Sequence, residues 1–175
     1  MHVNSLRCFD FSERTKSASG RSLKRFLQQS IIPYQELLGN YNHWSEWVTL
    51  LGELLGAGVT PVFCAIMHDG QGTLLNCNAD SVASSVALGA ARIAPTELVF
   101  CFEKSGVLRD PEDETTLIRE ITAESYAALK AGGIVSKGMI PKVENALKAV
   151  ANGVRSVTIK HSENLLNDTG TAVDQ

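Results

Sequence analysis

Three absences restrict what this 175-residue chain can be. No apolar run approaches the roughly 18 residues that a helix needs to cross a bilayer. The N-terminal region has neither the apolar core of a signal peptide nor a twin-arginine export pattern. The chain has no lysine or arginine between Phe26 and Ala91. The first two absences predict a cytoplasmic protein with no membrane partner, and the third leaves the central region without a long basic side chain for an anionic ligand.

Cysteine is scarce, and its spacing argues against a zinc site. The four cysteines, Cys8, Cys64, Cys77 and Cys101, show no CxxC spacing and have no neighbouring histidine pair. Cys64 and Cys101 lie in apolar runs typical of buried strands. We therefore predict that both are reduced residues of the core, because free cysteine is usually buried.

The composition is that of a globular protein. Hydrophobic residues make up 44% of the chain and charged residues 20%, which excludes a disordered or fibrous class. The length suits one domain or a piece of a larger one, and it is sufficient to bury a core.

Basic residues concentrate at the N-terminus. Residues 1–30 contain six lysines and arginines and two acidic residues, whereas the net charge of the whole chain is −3. Such a segment is typical either of nucleic-acid binding or of a solvated terminus. It lacks interleaved aromatic residues and any zinc or helix-turn-helix signature, so we favour the solvated terminus and predict no nucleic-acid partner.

Helical and strand patterns alternate after residue 44. Helices are predicted at 45–58, about 78–92, 122–133 and 139–153, the last with Ile140, Val143, Leu147 and Val150 on one face. Buried strands are predicted at 59–68, 97–103 and 156–161, and "GTAV" is a candidate edge strand. The alternation predicts an α/β fold with a mostly parallel sheet sandwiched by helices. Residues 1–44 are predicted as a divergent basic N-terminal segment, separate from the α/β part at 45–175.

The stretch "NCNAD", 76–80, precedes a helix built largely of small residues. Asn78 is a plausible N-cap, and Asp80 in the first turn complements the helix dipole. Capping alone accounts for these two residues but not for Asn76, whose amide could donate to a ligand carboxylate. Parallel sheets bind ligands at the carboxyl ends of their strands, where such loops lie.

Lys142 in "GMIPK" is a basic residue at the start of a helix, where Asp80 is an acidic one. It falls in the first helical turn, where the dipole disfavours a cation. One explanation is a solvated surface lysine. The other is a phosphoryl group held between the lysine and the helix end, with Gly138 allowing a phosphate to approach the backbone.

The motifs "PVFCAIMHDGQGTLLNCNAD", "VFCFEKSGVLRD", "GGIVSKGMIPKVENAL" and "GVRSVTI" resemble the amino-acid kinase family, over about residues 45–173. Within that family they are most similar to the N-acetylglutamate kinases, and "HDGQG" and "CFEKSGVL" to the acylglutamate kinases of the Bacteroidetes type. The resemblance implies the carbamate kinase-like α/β fold, with residues 45–175 as the nucleotide-binding part of an amino-acid kinase domain. It also implies transfer of the ATP γ-phosphoryl group to the γ-carboxylate of an N-acylglutamate in arginine biosynthesis.

The resemblance assigns roles to individual residues. Asn76 matches the asparagine that binds the acylglutamate, Asp80 the aspartate that orients catalytic lysines, and Lys142 the lysine that stabilises the transition state. Residues matched to the nucleotide site are Glu103, Lys104, Ser105, Gly106, Val107, Leu108, Ile134, Val135 and Ser136. Mg²⁺ is expected to arrive with ATP as part of the substrate, with no metal held by protein ligands.

The chain departs from the family pattern at its N-terminus. The family's lysine and glycine strand, glycine-rich substrate loop and substrate arginine have no match in residues 1–44, so the resemblance implies an N-terminally truncated copy. Two functions stay open. One is an acylglutamate kinase that acts on ATP and N-acylglutamate, as a homo-oligomer or with a missing N-terminal half. The other is an inactive nucleotide-binding or subunit-binding module.

Overall fold

The computed structural model describes residues 2–3, 45–63, 65–68, 73–135 and 138–174, with the backbone alone at 2–3, 45–47 and 68. The chain divides into two compact units, Leu6–Val82 and Ala83–Gln175, and the second also includes Met1–Ser5. No helix within the described ranges is long and apolar enough to cross a membrane. In chain order the helices and strands are β1 (His2–Val3), α1 (Ser45–Gly56), β2 (Ile66–His68), β3 (Leu74–Asn76), α2 (Ala79–Ala91), β4 (Glu97–Phe102), β5 (Glu120–Ile121), α3 (Ala123–Ala131), α4 (Ile140–Ala151), β6 (Ser156–His161) and β7 (Thr171–Val173).

A five-stranded sheet forms the centre of the unit that contains residues 83–175. Its strand order is β1-β4-β6-β7-β5. Strands β1, β4 and β6 run parallel to one another, β7 runs antiparallel to β6, and β5 runs parallel to β7. The sheet is therefore mostly parallel, and together with its helices it confirms the predicted α/β class.

Strands β4 and β6 supply the centre of the core. They pair in register from Glu97 opposite Ser156 to Phe102 opposite His161. Their apolar residues Leu98, Phe100, Val157 and Ile159 are buried. Burial of several such side chains contributes on the order of 1.5 to 3 kcal/mol for each one.

Helix α4 contacts β6 and β7 through a stripe of small and β-branched residues. Of the four residues predicted to share its inner face, Val143 and Val150 are buried, while Ile140 and Leu147 are half-buried. The buried stripe also includes Ala146 and Ala149, which the apolar periodicity did not single out. Small side chains at these positions allow the helix to lie close to the sheet.

The predicted edge position of "GTAV" is wrong. Strand β7 lies inside the sheet, antiparallel to β6 on one side and parallel to β5 on the other. Its two outer residues, Thr171 and Val173, are buried. The four-letter pattern does not encode pairing with β6 and β5, which places this three-residue strand inside the sheet.

The predicted strand over 59–68 is also wrong in length and pairing. Only Ile66–His68 forms a strand, and it pairs antiparallel with β3 in a two-stranded sheet of the Leu6–Val82 unit. Described residues 59–63 are irregular. Pro61 provides the physical reason, because proline lacks the N–H that a central strand must donate.

A prediction about cysteine side chains is corrected as well. Cys101 is free, as expected, but it is half-buried and not fully enclosed, and Cys77 is free and half-buried too. Cys8 and Cys64 lie outside the described residues. In α1, whose leucines are candidates for an apolar contact surface together with Trp44 and Trp47, Leu51 is buried and Leu50, Leu54 and Leu55 are half-buried. Trp44 and the side chain of Trp47 lie outside the described residues.

Candidate functional site

The loop that leaves the carboxyl end of β4 forms one wall of a cavity. Its residues 103–108 follow Phe102, the last residue of a central strand. Three of its members, Gly106, Val107 and Leu108, are buried, although the loop has no regular secondary structure. The carboxyl ends of parallel strands are where open α/β sheets bind their ligands.

The cavity has a volume of about 150 Å³ and brings together segments that are distant in sequence. Residues of the 103–108 segment meet Ile134 and Val135 there, so described parts of both segments matched to a nucleotide face the same space. The lining residues are Phe102, Glu103, Lys104, Gly106, Val107, Leu108, Pro111, Ile134, Val135 and Met139. Ser105 lies between two lining residues, and Ser136 lies outside the described residues.

The cavity wall is fixed by hydrogen bonds between Val107, Ile118 and Thr171. The backbone N–H of Ile118 donates to the carbonyl of Val107 at 2.8 Å. The N–H of Val107 donates to Thr171 Oγ1 at 2.8 Å, and that hydroxyl donates to the carbonyl of Ile118 at 2.6 Å. Thr171 is fully buried. The hydroxyl therefore joins the cavity loop to a neighbouring segment and to β7.

A second contact holds the rim of the loop. The hydroxyl of Ser105 makes a short hydrogen bond to Glu114 Oε2, and the backbone N–H of Ser105 donates to the same oxygen at 3.3 Å. The pKa of Glu114 is lowered from its ordinary value, chiefly because the Ser105 hydroxyl donates to the carboxylate. The backbone N–H of Ser105 and the positive charges of Lys104 and His161 act in the same direction, against a desolvation effect.

Lys142 lies in the first turn of α4, directly after Pro141, as the sequence predicts. Its ammonium nitrogen is 5.0 Å from the centroid of the Phe100 ring. Phe100 belongs to β4, whose last residue, Phe102, lines the cavity. Met139, three residues before Lys142, also lines the cavity, so the start of α4 and the cavity are adjacent.

Asn76 and Asp80 belong to the other unit, Leu6–Val82. Asn76 ends β3 and is exposed, and Asp80 lies in the first turn of α2. Asn78 accepts a hydrogen bond at Oδ1 from the backbone N–H of Ser81 at 3.0 Å, which confirms it as the N-cap. The structure thus brings the predicted nucleotide segments together beside Lys142, whereas Asn76 and Asp80 are described only within their own unit.

Sequence reasoning missed four residues that shape the cavity: Phe102, Pro111, Met139 and Thr171. Phe102 was counted as a strand residue, and Met139 was counted as the start of a helix. A polar residue inside the apolar strand "GTAV" was the signal for Thr171, because buried hydroxyls need hydrogen-bond partners. Pro111 gave no signal beyond that of a loop.

No group of three or more His, Cys, Asp or Glu side chains in the described ranges could hold a metal ion.

Three curated relatives of this chain are named acetylglutamate kinase. A family model described as the amino acid kinase family matches residues 16–161. The acetylglutamate kinase of Cytophaga hutchinsonii is 47% identical over 113 residues, which are 65% of this chain and 43% of that protein. Those of Bacteroides thetaiotaomicron and Methanopyrus kandleri are each 41% identical over 71% of this chain and 49% of their own length. This chain spans about half the length of these relatives.

Solved structures agree on the fold. A crystal structure from Streptococcus mutans is 32% identical, with a TM-score of 0.60 over 72% of this chain and 47% of that one. Carbamate kinase from Giardia is 15% identical, with a TM-score of 0.56 over 73% of this chain and 47% of that one. The latter likeness indicates the fold alone. The family match over most of the chain, together with the fold, confirms the resemblance found in the motifs: the chain belongs to the amino acid kinase family.

Proposed function

We propose that this chain carries the nucleotide-binding part of an acylglutamate kinase-like site, which transfers the γ-phosphoryl group of ATP to the γ-carboxylate of an N-acylglutamate. The observation that carries the proposal is the meeting of residues 103–108 and 134–135 around one cavity. These segments are separated in sequence, and the resemblance of their motifs to the family matches both of them to the nucleotide. The similarity to acetylglutamate kinases supports the reaction class.

The chemistry of the cavity suits the base of a nucleotide. Its walls are largely apolar, from Val107, Leu108, Ile134, Val135 and Met139. Its volume of about 150 Å³ is below the roughly 300 to 1,000 Å³ of sites that enclose a drug-sized ligand, so it suits one flat ring system. Lys104 at the rim offers an ammonium group to the phosphates that follow the ring.

Each of the three remaining site residues has a role in this proposal. Lys142 stabilises the negative charge that spreads over the transferred phosphoryl group, because phosphoryl transfer depends mainly on positioning and charge stabilisation. Asp80 orients the basic side chains, and Asn76 donates its amide to the acylglutamate. Mg²⁺ accompanies ATP as part of the substrate and neutralises charge on its phosphates.

A second candidate function is a nucleotide-binding module that does not catalyse phosphoryl transfer. One observation favours it, namely the absence of lysine and arginine from residues 26–91. The transition state needs several cations or donors, and each missing one costs on the order of 100- to 1,000-fold in rate. Both candidates bind Mg-ATP in the same cavity, and they differ in turnover.

Thermal unfolding of the purified chain in a Mg-ATP titration tests nucleotide binding. Ligand that binds only the native state adds about 2.7 kcal/mol to its stability at a hundredfold excess over Kd. We expect the melting temperature to rise with Mg-ATP. Lys104→Gln should weaken the affinity about tenfold, since a hydrogen bond to a charged group is lost.

Lys148→Gln is the matched control, because Lys148 is an exposed lysine in the last turn of α4. It should leave the affinity for Mg-ATP unchanged. A wild-type chain that Mg-ATP does not stabilise would contradict nucleotide binding. Equal losses in the two lysine variants would show that the cavity at residues 103–108 is not where the phosphates bind.

A further inference from the structure

A threonine hydroxyl occupies the place of a backbone hydrogen bond in the cavity wall. Val107 lies opposite Ile118 in a short antiparallel pairing. At a hydrogen-bonded position of such a pairing, the two opposed residues exchange two N–H to carbonyl bonds. Val107 and Ile118 exchange one, from Ile118 N–H to the Val107 carbonyl. The second runs through Thr171, which accepts from Val107 N–H and donates to the Ile118 carbonyl. One hydroxyl thus satisfies two backbone groups on different segments.

Gly106 has no Cβ atom, and this leaves room for the Thr171 hydroxyl. A Cβ atom at residue 106 would lie 2.6 Å from Thr171 Oγ1 and 2.7 Å from Leu117 Cδ1. Contacts this short do not occur at real Cβ atoms, and Thr171 is held inside the sheet by β5 and β6. The bare backbone of Gly106 therefore lets the loop approach β7 closely enough for the hydrogen bond from Val107.

The position of this bond matters because Gly106, Val107 and Leu108 all line the cavity. Leu108 also forms an isolated antiparallel bridge with Leu117, and this bridge lies next to the pair that Val107 and Ile118 form. A threonine that only packed in the core would need a partner for its own hydroxyl and nothing more. Thr171 instead fixes the distance between the cavity loop and residues 117–118, which no apolar residue of the same shape can do.

We propose that Thr171 is a positioning residue for the nucleotide: its hydroxyl holds residues 106–108 in the arrangement that the base-binding cavity requires. The inference rests on the proposed function, because the ligand is the nucleotide assigned there. Removal of the hydroxyl leaves the Val107 N–H and the Ile118 carbonyl buried without their partner, and the loop must move to reach water or a new acceptor.

The experiment compares the full chain with Thr171→Val, Thr171→Ser and Thr96→Val. Valine keeps the shape of threonine without its hydroxyl, and serine keeps the hydroxyl. Thr96 is a matched control, since it is a buried threonine before β4 whose hydroxyl donates to the Ala94 carbonyl at 2.9 Å, away from the cavity residues. Two quantities are measured in each protein: the amide hydrogen exchange of Val107 by NMR, and the Kd for Mg-ATP.

We expect Thr171→Val to speed the exchange of Val107 at least tenfold and to weaken Mg-ATP binding about tenfold, the range of one lost buried hydrogen bond. Thr171→Ser should stay within about threefold of the wild-type chain in both measurements, and Thr96→Val should change neither. Amide exchange in β4 reports whether the valine variant has opened globally. If it has, Gly106→Ala, which keeps the hydroxyl but displaces the loop, must reproduce both changes.

Three outcomes in the Thr171 variants would overturn the inference. Unchanged Val107 exchange in Thr171→Val would show that the hydroxyl does not hold the loop. Faster exchange with unchanged Mg-ATP affinity would show that the loop position does not matter to the ligand. Loss of both properties in Thr171→Ser would mean that the hydroxyl by itself does not hold the loop. If the wild-type chain does not bind Mg-ATP, the proposed function fails and the positioning role for a nucleotide fails with it, while Val107 exchange still shows separately whether the hydrogen bond holds the loop.

Discussion

Lys142 shows how a side chain can be kept at an unfavourable helix position. A cation in the first turn of α4 opposes the helix dipole by about 0.3 to 1 kcal/mol. The ring of Phe100 lies 5.0 Å from the ammonium nitrogen, and such cation–π contacts contribute about 0.5 to 2 kcal/mol. The two effects are of similar size and opposite sign. The ring of Phe100 therefore offsets the unfavourable interaction of the Lys142 ammonium group with the helix dipole.

Glu114 provides a prediction about pH. Its lowered pKa means that the hydrogen bond from Ser105 stabilises the fold above the ordinary glutamate pKa, and that this contribution is lost as the pH falls through the lowered value. An NMR titration of the carboxyl carbon should place the midpoint for Glu114 below the ordinary glutamate range. Ser105→Ala should move it back upward, because the principal cause of the shift is removed.

Asp113 serves as the internal control in the same spectra. Its pKa is also lowered, in this case by hydrogen bonds from the side chain and backbone of Thr115. Its midpoint should therefore stay where it is in Ser105→Ala. A Glu114 midpoint that does not respond to this substitution would contradict the role given to Ser105.

Helix α3 begins with a capping box. Thr122 Oγ1 accepts from the Ser125 N–H at 3.2 Å, and Ser125 Oγ accepts from the Thr122 N–H at 2.8 Å, so the two residues form a capping box. The helix ends at Ala131 with Gly132 as its C-cap, and Gly133 follows at a φ of 69°, where glycine is favoured. Residues 134 and 135 of the cavity come next, so this local stop determines where the cavity segment begins.

Thr122→Ala should destabilise the chain by about 1 kcal/mol. The Ser125 N–H loses its acceptor, the Thr122 hydroxyl oxygen, and the Ser125 side chain that accepts from the N–H of residue 122 is less well oriented. Urea unfolding measures this as a lower midpoint with an unchanged slope. Thr122→Ser keeps the accepting hydroxyl and should remain within about 0.5 kcal/mol of the wild-type chain. An alanine variant as stable as the serine variant would show that the capping box does not stabilise the helix.

For the whole molecule, we predict that the chain binds Mg-ATP but catalyses phosphoryl transfer only very slowly. The region from residue 26 to residue 91 offers no lysine or arginine to the transition state. Turnover of ATP and N-acetylglutamate by the purified chain should therefore lie far below the usual 1 to 1,000 per second, as on the order of 100- to 1,000-fold is lost for each missing donor. Hydroxylamine trapping of acylglutamyl phosphate measures it.

Lys142→Ala is the control for that assay, and it should leave the background rate unchanged. Turnover at an ordinary enzyme rate that disappears in Lys142→Ala would contradict the prediction. It would also decide between the two candidate functions in favour of a kinase that is active by itself. The arginines of residues 1–30 would then be the first source of the missing cations to test.

The features that were predictable depend on short segments. The cap at Asn78 joins residues three apart, and Pro141 restricts the first turn of its own helix. Strand β6 was predicted with its observed limits, because its apolar residues alternate within one six-residue run. The family followed from four motifs in consistent order, which carry more information than any one of them. Within each cap, strand or motif the informative residues are close in sequence, so a local pattern contains the signal.

The features that were missed depend on contacts between distant segments. Val107 and Thr171 are 64 residues apart, and their hydrogen bond exists only because the sheet places β7 beside the loop after β4. The internal position of β7 likewise follows from pairing with β5 and β6, which its own four-letter pattern cannot encode. Sequence therefore determined the family, the helix ends and the residues of each segment. Packing of the sheet determined which segments share a cavity, because burial and long-range pairing are properties of the assembled chain.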